Sequence, residues 1–170
     1  MRVSEVKIVE KPSVELFREV IMYVNKNLGK SGFHQIATDA PISLEKAQEW
    51  QDALSKGNQI CAIAVKSGKV VGASHLDIWH GRRKHTARLA ITVDKNHRKQ
   101  GIAKAIMTSI ISQAKKKRIK VIVAEPSEDN IAAISLLKKF RFREEGRIRK
   151  GFESDDGTLK DLVSLQAFLE

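Results

Sequence analysis

The residues most suited to chemistry lie in one short run, Val93-Asp94-Lys95-Asn96-His97-Arg98-Lys99-Gln100-Gly101-Ile102-Ala103. An apolar strand ends there, a basic loop with one glycine follows, and a helix begins. The first turn of a helix has backbone N–H groups without partners and the positive end of the helix dipole, so such a junction attracts phosphate. Gly101 and Ala103 would let a pyrophosphate come close to the backbone. The run is not a P-loop, because no Gly-Lys-Ser/Thr follows. One glycine is too few for a dinucleotide fingerprint. Taken alone, the same residues also fit a tight strand-to-helix turn carrying a surface arginine.

Apolar periodicity sets out the elements that must hold this junction. A short strand around Val6 and Ile8 precedes a helix opened by Pro12-Ser13, with Val14, Phe17, Val20, Ile21 and Val24 on one face and Gly29 as its stop. A loop with Gly29, Gly32 and Pro41 leads to a second helix expected from Ser43 to about Ser55. Ile60–Val65 and Val70–Ile78 read as a hairpin turned by Lys66-Ser67-Gly68-Lys69. The next strand, Thr86–Val93, has Ala87, Leu89, Ile91 and Val93 on one face and delivers the chain to Gly101. Ile102, Ile106, Ile110 and Ala114 then recur every four residues, a helix that ends at Lys115-Lys116-Lys117-Arg118. After the strand Val121–Ala124, Pro126 closes the run. Ser127 or Asp129 is positioned to cap a helix whose buried side is expected to be Ala133, Leu136, Leu137 and Phe140. Two strands, about Phe142–Lys150 and Leu159–Phe168, finish the chain around the turn Ser154-Asp155-Asp156-Gly157. The order is β-α-α-β-β-β-α-β-α-β-β, a mixed α/β sheet with helices packed on it.

The 170 residues make one domain, 42% hydrophobic and 30% charged, which excludes disorder and collagen-like or low-complexity chains. Ile60–Val65 is the longest kind of apolar run, far below the ~20 residues that cross a bilayer. The first residues show no secretory signal, and Cys61 is the only cysteine. These features predict a cytosolic protein with no disulfide, no thiolate zinc site and no membrane contact. The net charge is +11. Residues 1–80 hold ten Lys/Arg against nine Asp/Glu, and residues 81–170 hold 21 against eleven, so the excess lies in the half that carries the glycine loop. Such charge suits nucleic acid, a membrane surface or a phosphorylated cofactor, and by itself does not choose among them.

Downstream, Glu125-Pro126-Ser127-Glu128-Asp129-Asn130 leads into Ala133, Leu136, Lys139 and Phe142. At this point the sequence resembles the GNAT (Gcn5-related) N-acetyltransferase superfamily. Arg98, Gly101 and Ala103 match its Arg/Gln-x-x-Gly-x-Gly/Ala loop. Asn130, Ala133, Leu136 and Phe142 match its Asn-x-x-Ala-x-x-Leu-Tyr-x-x-x-Gly-Phe segment. The element order fits over nearly the whole chain. The resemblance implies a GNAT fold, a mixed and mostly antiparallel sheet flanked by helices in a single domain over residues 1–170. It implies acetyl-CoA as cofactor, with Ile91, Thr92 and Val93 pairing with the pantetheine arm, Asn130 touching it, and the loop amides of Arg98, Lys99, Gln100, Gly101, Ile102, Ala103 and Lys104 holding the pyrophosphate. A homodimer is also in keeping with it.

Three positions depart from the family pattern: Ala103 for the second glycine, Arg141 for the glycine before Phe142, and Leu137 for the tyrosine. In many members that tyrosine protonates the departing thiolate, which leucine cannot do. A thiolate is a tolerable leaving group near neutral pH, and water, the product ammonium or Tyr23 are the remaining acids. Glu125 is the expected catalytic base, resembling the glutamate at this place in the ribosomal-protein alanine N-acetyltransferases. A carboxylate there would take a proton from the attacking ammonium, directly or through water. His75, Asp77 and His85 are further candidates, and His34, Gln35 and Asp39 fall in the loop that borders the acceptor site in the family.

The expected activity is transfer of an acetyl group to a primary amine on a small molecule or protein. The sequence does not name that acceptor. A catalytically weak module that binds nucleic acid or another anionic partner is the alternative, disfavoured because aromatics are only 5% of residues and stacking platforms need them exposed. Arg82-Arg83-Lys84 and Lys115–Arg118 read as solvated faces, Cys61 as core, and Trp50 and Trp79 as packing residues.

Overall fold

The computed structural model describes residues 5–27 and 41–169. Among these residues seven strands and four helices follow one another as β1 (Lys7–Val9), α1 (Val14–Asn27), α2 (Lys46–Ser55), β2 (Gln59–Lys66), β3 (Lys69–Ile78), β4 (Thr86–Val93), α3 (Ile102–Lys116), β5 (Val121–Ala124), α4 (Ile131–Lys139), β6 (Arg143–Glu153) and β7 (Leu159–Phe168). They form one sheet in the order β1-β2-β3-β4-β5-β7-β6. Every neighbouring pair is antiparallel except β4 and β5, the two strands joined by the α3 crossover. This is the mixed, mostly antiparallel sheet flanked by helices that the resemblance implied.

Strand β2 explains why the sheet lies at the centre. Its residues Ile60 to Ala64 are all buried, and alternation divides them between two cores. Ile60, Ala62 and Ala64 pack beneath α3 with Leu76, Ala87 and Leu89. Cys61 and Ile63 face the other way, onto Phe17, Val20, Ile21 and Val24 of α1 and Ala47 of α2. On α3 the four-residue spacing works as expected: Ile102, Ile106, Ile110 and Ala114 are each at most 2% exposed. Gly72 lets α3 approach β3 closely. A Cβ there would stand 3.0 Å from Ile106 Cδ1 and 3.1 Å from the Thr92 carbonyl oxygen.

Several boundaries differ from the sequence reading for local reasons. Helix α2 starts at Lys46, because residues 43–45 are used in a turn where the Glu45 N–H donates to Ser43 Oγ at 3.3 Å. Helix α4 is capped by Asn130, whose Oδ1 accepts from the Ala133 N–H at 3.1 Å, and not by Ser127 or Asp129. Ser127 is buried in a bridge to Leu162, and the Asp129 carboxylate is taken by Lys160. The fully buried side chain of α4 is Leu137, with Ala133, Leu136 and Phe140 only partly covered. Strand β6 begins after Phe142, which belongs to the core, and extends to Glu153 as an exposed edge with two register shifts. The stop expected at Gly29 lies outside the described residues. Among the described residues no helix is long and apolar enough to cross a membrane.

Candidate active site

Strands β4 and β5 pair for only three residues, Thr86 with Val121, Ala87 with Ile122 and Arg88 with Val123. Strand β5 then ends at Glu125-Pro126, where proline has no N–H to continue a ladder. Strand β4 runs on to Val93, paired with β3 on one side only. The sheet therefore opens between Leu89–Val93 and the start of α4, and the open edge of β4 retains hydrogen-bonding capacity. A cavity of about 420 Å³ fills the opening. Leu89, Ala90, Ile91 and Thr92 form one wall, and Ala124, Glu125, Asn130, Ala133 and Leu137 form the other. The cavity continues across the sheet to the face covered by α1 and α2, where Phe17, Val20 and Trp50 line it.

Val93 leads out of this opening to the phosphate-type junction. The Asp94 carboxylate fixes the turn by accepting from the Asn96 N–H at 2.9 Å and standing 3.0 Å from His97 Nδ1. Burial works against its charge, but these hydrogen bonds and nearby Lys26 hold the carboxyl below the usual range. Lys99 and Gly101 both take left-handed backbone, with φ of 61° and 80°. Gly101 occupies the cap position of α3 with no side-chain cap, so the N–H groups of Ile102, Ala103 and Lys104 in the first turn have no intrahelical partner. A Cβ on Gly101 would meet nothing within 4 Å, so the space above this turn is open. Free amides, an open approach and the cations Lys99 and Lys104 fit a pyrophosphate. Arg98 instead folds back, with Nε 3.4 Å from the Val93 carbonyl oxygen, and Gln100 accepts from Lys66 Nζ at 3.0 Å. The Ile102 side chain is core, leaving only its N–H for a ligand.

Glu125 and Asn130, far from β4 in sequence, thus share the cavity with Ile91 and Thr92. The Asn130 cap uses Oδ1 and leaves Nδ2 able to donate into the cavity. Leu137 stands where the resemblance expects tyrosine and presents only hydrocarbon to the space. Tyr23 does not line the cavity. Its hydroxyl is 3.4 Å from Thr92 Oγ1, and burial pushes its pKa up, away from that of a useful acid. Cys61 reaches the cavity wall, but burial, with Glu10 adding to it, pushes the thiol up to about 12, so the residue is core and not a nucleophile. His34, Gln35 and Asp39 lie outside the described residues.

Sequence reading singled out His75 and Asp77 but missed Gln59 and Arg88. All four line the cavity on its α1 and α2 side. Gln59 pairs with Asp77 and Asp77 with Arg88 across β2, β3 and β4, so the three side chains form a row. Gln59 Nε2 donates to Asp77 Oδ1 at 2.8 Å, and His75 Nε2 is 3.4 Å from Asp77 Oδ2. Burial would raise the Asp77 pKa, but the hydrogen bonds from His75 and Gln59, with Arg88 nearby, bring it below the usual carboxylate range. The available signal was polar residues on alternate positions of otherwise apolar strands. His85 is exposed and does not join this group. Trp50 packs edge-on against Phe17 with centroids 5.8 Å apart, and Trp79 is stacked by the Arg83 guanidinium at 3.3 Å.

Comparison with known proteins agrees with this geometry. A sequence model described as the acetyltransferase (GNAT) family matches residues 31–142. A GNAT-family acetyltransferase of Streptococcus pneumoniae superposes with a TM-score of 0.89 at 21% identity, over 97% of this chain and 100% of that one. The ribosomal-protein-alanine N-acetyltransferase of Brucella melitensis gives 0.85 at 21%, over 96% and 99%. The yncA protein of Salmonella typhimurium, determined with its cofactor acetyl-CoA, gives 0.85 at 18%, over 97% and 94%. Likeness at these identities speaks for the fold. No curated protein sequence matches the chain significantly.

Proposed function

Because the chain belongs to the GNAT acetyltransferase family, whose acetyl donor is acetyl-CoA, we propose that it acetylates a primary amine held in the cavity between β4 and α4. The observation that carries this reading is the opening of the sheet after Arg88. It leaves Leu89–Val93 with a free backbone edge, in line with the uncapped first turn of α3 and across from Glu125.

The chain's own residues divide the work. Backbone groups of Ile91, Thr92 and Val93 hold the pantetheine arm, with Asn130 Nδ2 donating from the opposite wall. The amides of Lys99 to Lys104 hold the pyrophosphate, with Arg98 and Gln100 shaping the loop. When bound, acetyl-CoA supplies an acetyl carbon already activated as a thioester. Glu125 takes the proton of the acceptor ammonium, directly or through one water, and so frees the nitrogen lone pair for attack. Attack would form the C–N bond as the C–S bond breaks, with the second nitrogen proton passing to the departing thiolate or to water, because Leu137 has no proton to give. Holding nitrogen and carbonyl together in one cavity supplies much of the acceleration.

The reading is tested by incubating the protein with acetyl-CoA and a panel of amines, amino acids and peptides. Release of free thiol and gain of one acetyl group on the amine by mass spectrometry are expected together. Thiol release without an acetylated amine would mean hydrolysis and would overturn it.

A further inference from the structure

On the acceptor side of the cavity stands a guanidinium without a partner among the described residues. Arg88 projects from β4 on the same face as Asp77 and Gln59 and lines the cavity. It is near enough to Asp77 to favour that carboxylate's charge, yet it forms no ion pair or hydrogen bond among the described residues. Asp77 is engaged elsewhere, by Gln59 at 2.8 Å and His75 at 3.4 Å. A planar fork of N–H donors on a cavity wall matches a carboxylate in two-pronged geometry.

We propose that Arg88 binds the carboxylate of the acceptor, so that the substrate is an α-amino acid with an apolar side chain. This rests on the acetyl-transfer reading above. Arg88 is two residues before Ala90, about 7 Å along the strand. One carbon separates an α-amine from its carboxylate, so anchoring the latter at Arg88 keeps the nitrogen in the part of the cavity lined by Ala90 and Glu125. Phe17, Val20 and Trp50 give the side chain an apolar wall. Charge favours a carboxylate over a phosphate. Asp77 and Glu125 already place negative charge around the cavity, and a zwitterion adds none, whereas a dianionic phosphate would.

The test separates recognition from chemistry. Calorimetry with protein saturated in coenzyme A, where no turnover occurs, compares L-methionine with L-methioninamide and 3-(methylthio)propylamine, and L-phenylalanine with its amide and phenethylamine. In at least one series the amino acid should bind roughly 10- to 100-fold tighter than both analogues. Arg88→Gln should remove that preference, and Arg88→Lys should retain part of it. Arg88 is exposed, so both variants should keep the wild-type melting temperature. Equal affinity within both series, no binding of either amino acid, or a preference that survives Arg88→Gln would overturn the proposal. Carboxylate-selective binding without acetyl transfer would leave Arg88's role standing and refute the transfer reading. Transfer without selectivity would do the reverse.

Discussion

Arg88 of β4 and Val123 of β5 are the last residues at which the two parallel strands face each other. One residue further on, Leu89 borders a cavity where a strand should be. That gap unites the proposed cofactor edge, the carboxylate of Glu125 and the polar row on the other face of the sheet.

Glu125→Gln keeps the size of the side chain and removes its basicity. With a saturating acceptor, turnover should fall by about 10² to 10⁴ while acetyl-CoA affinity stays within about threefold. Steady-state kinetics and calorimetry check the two halves. A fall of less than tenfold would leave Glu125 as a structural carboxylate.

Gly72→Ala tests how β4 is held. The added methyl would meet Ile106 and the Thr92 carbonyl, and backbone cannot swing aside as a long side chain can. The expected cost is about 1–3 kcal/mol of stability. Because Thr92 would move, acetyl-CoA should also bind more weakly. Denaturant unfolding and calorimetry read both, and an unchanged midpoint would show that α3 has room to shift.

Cys61 gives a pH-dependent prediction. With its thiol pushed up to about 12, only about one molecule in 10⁴ carries a thiolate at pH 8, against about a quarter for a free cysteine. A disulfide reagent should therefore react on the order of 10³-fold more slowly than with free cysteine, and about tenfold faster per pH unit while the fold holds. Absorbance after mixing checks this, and a burst within seconds at pH 8 would contradict the buried placement. The slow reaction also leaves thiol release from acetyl-CoA readable without background.

The parts of the molecule legible in sequence were those set by periodicity within one element. The four-residue recurrence of Ile102, Ile106, Ile110 and Ala114 announced α3, and the continuous run Ile60–Val65 announced a central strand. The single glycine between an apolar strand and a helix likewise marked Gly101 as a place where the backbone can be approached closely. What sequence left unread depended on pairing. The cap of α4 turned on Lys160, 31 residues beyond Asp129, taking the carboxylate that would otherwise have served. Arg88 and Gln59 looked like ordinary polar strand residues until the registers of β2, β3 and β4 put them in one row with Asp77. The role expected of Glu125 rests on a resemblance alone, since nothing in its own neighbourhood states that the pairing of β4 with β5 stops two residues before it.

The basic second half of the chain predicts a contrast in salt dependence. A pyrophosphate held by fixed amides should lose little affinity between 50 and 200 mM salt, whereas nucleic acid held by six or more phosphate contacts would weaken by about 10³ or more. At physiological salt, acetyl-CoA should raise the melting temperature, and filter binding should find only weak retention of single- or double-stranded DNA. Tight, salt-resistant DNA binding with no shift from acetyl-CoA would favour the binding-module alternative.

The most direct measurement is acetyl-CoA affinity at Gly101, by calorimetry on folded Gly101→Ala and Gly101→Glu proteins. Both variants bear the same left-handed backbone strain, of about 1–2 kcal/mol, and neither Cβ meets protein atoms. Only glutamate adds a carboxylate that competes for the free amides of α3. The account predicts a loss of about fivefold or less for Gly101→Ala and of about 100-fold or more for Gly101→Glu. Equal affinity for the two would contradict it and move the cofactor away from this turn.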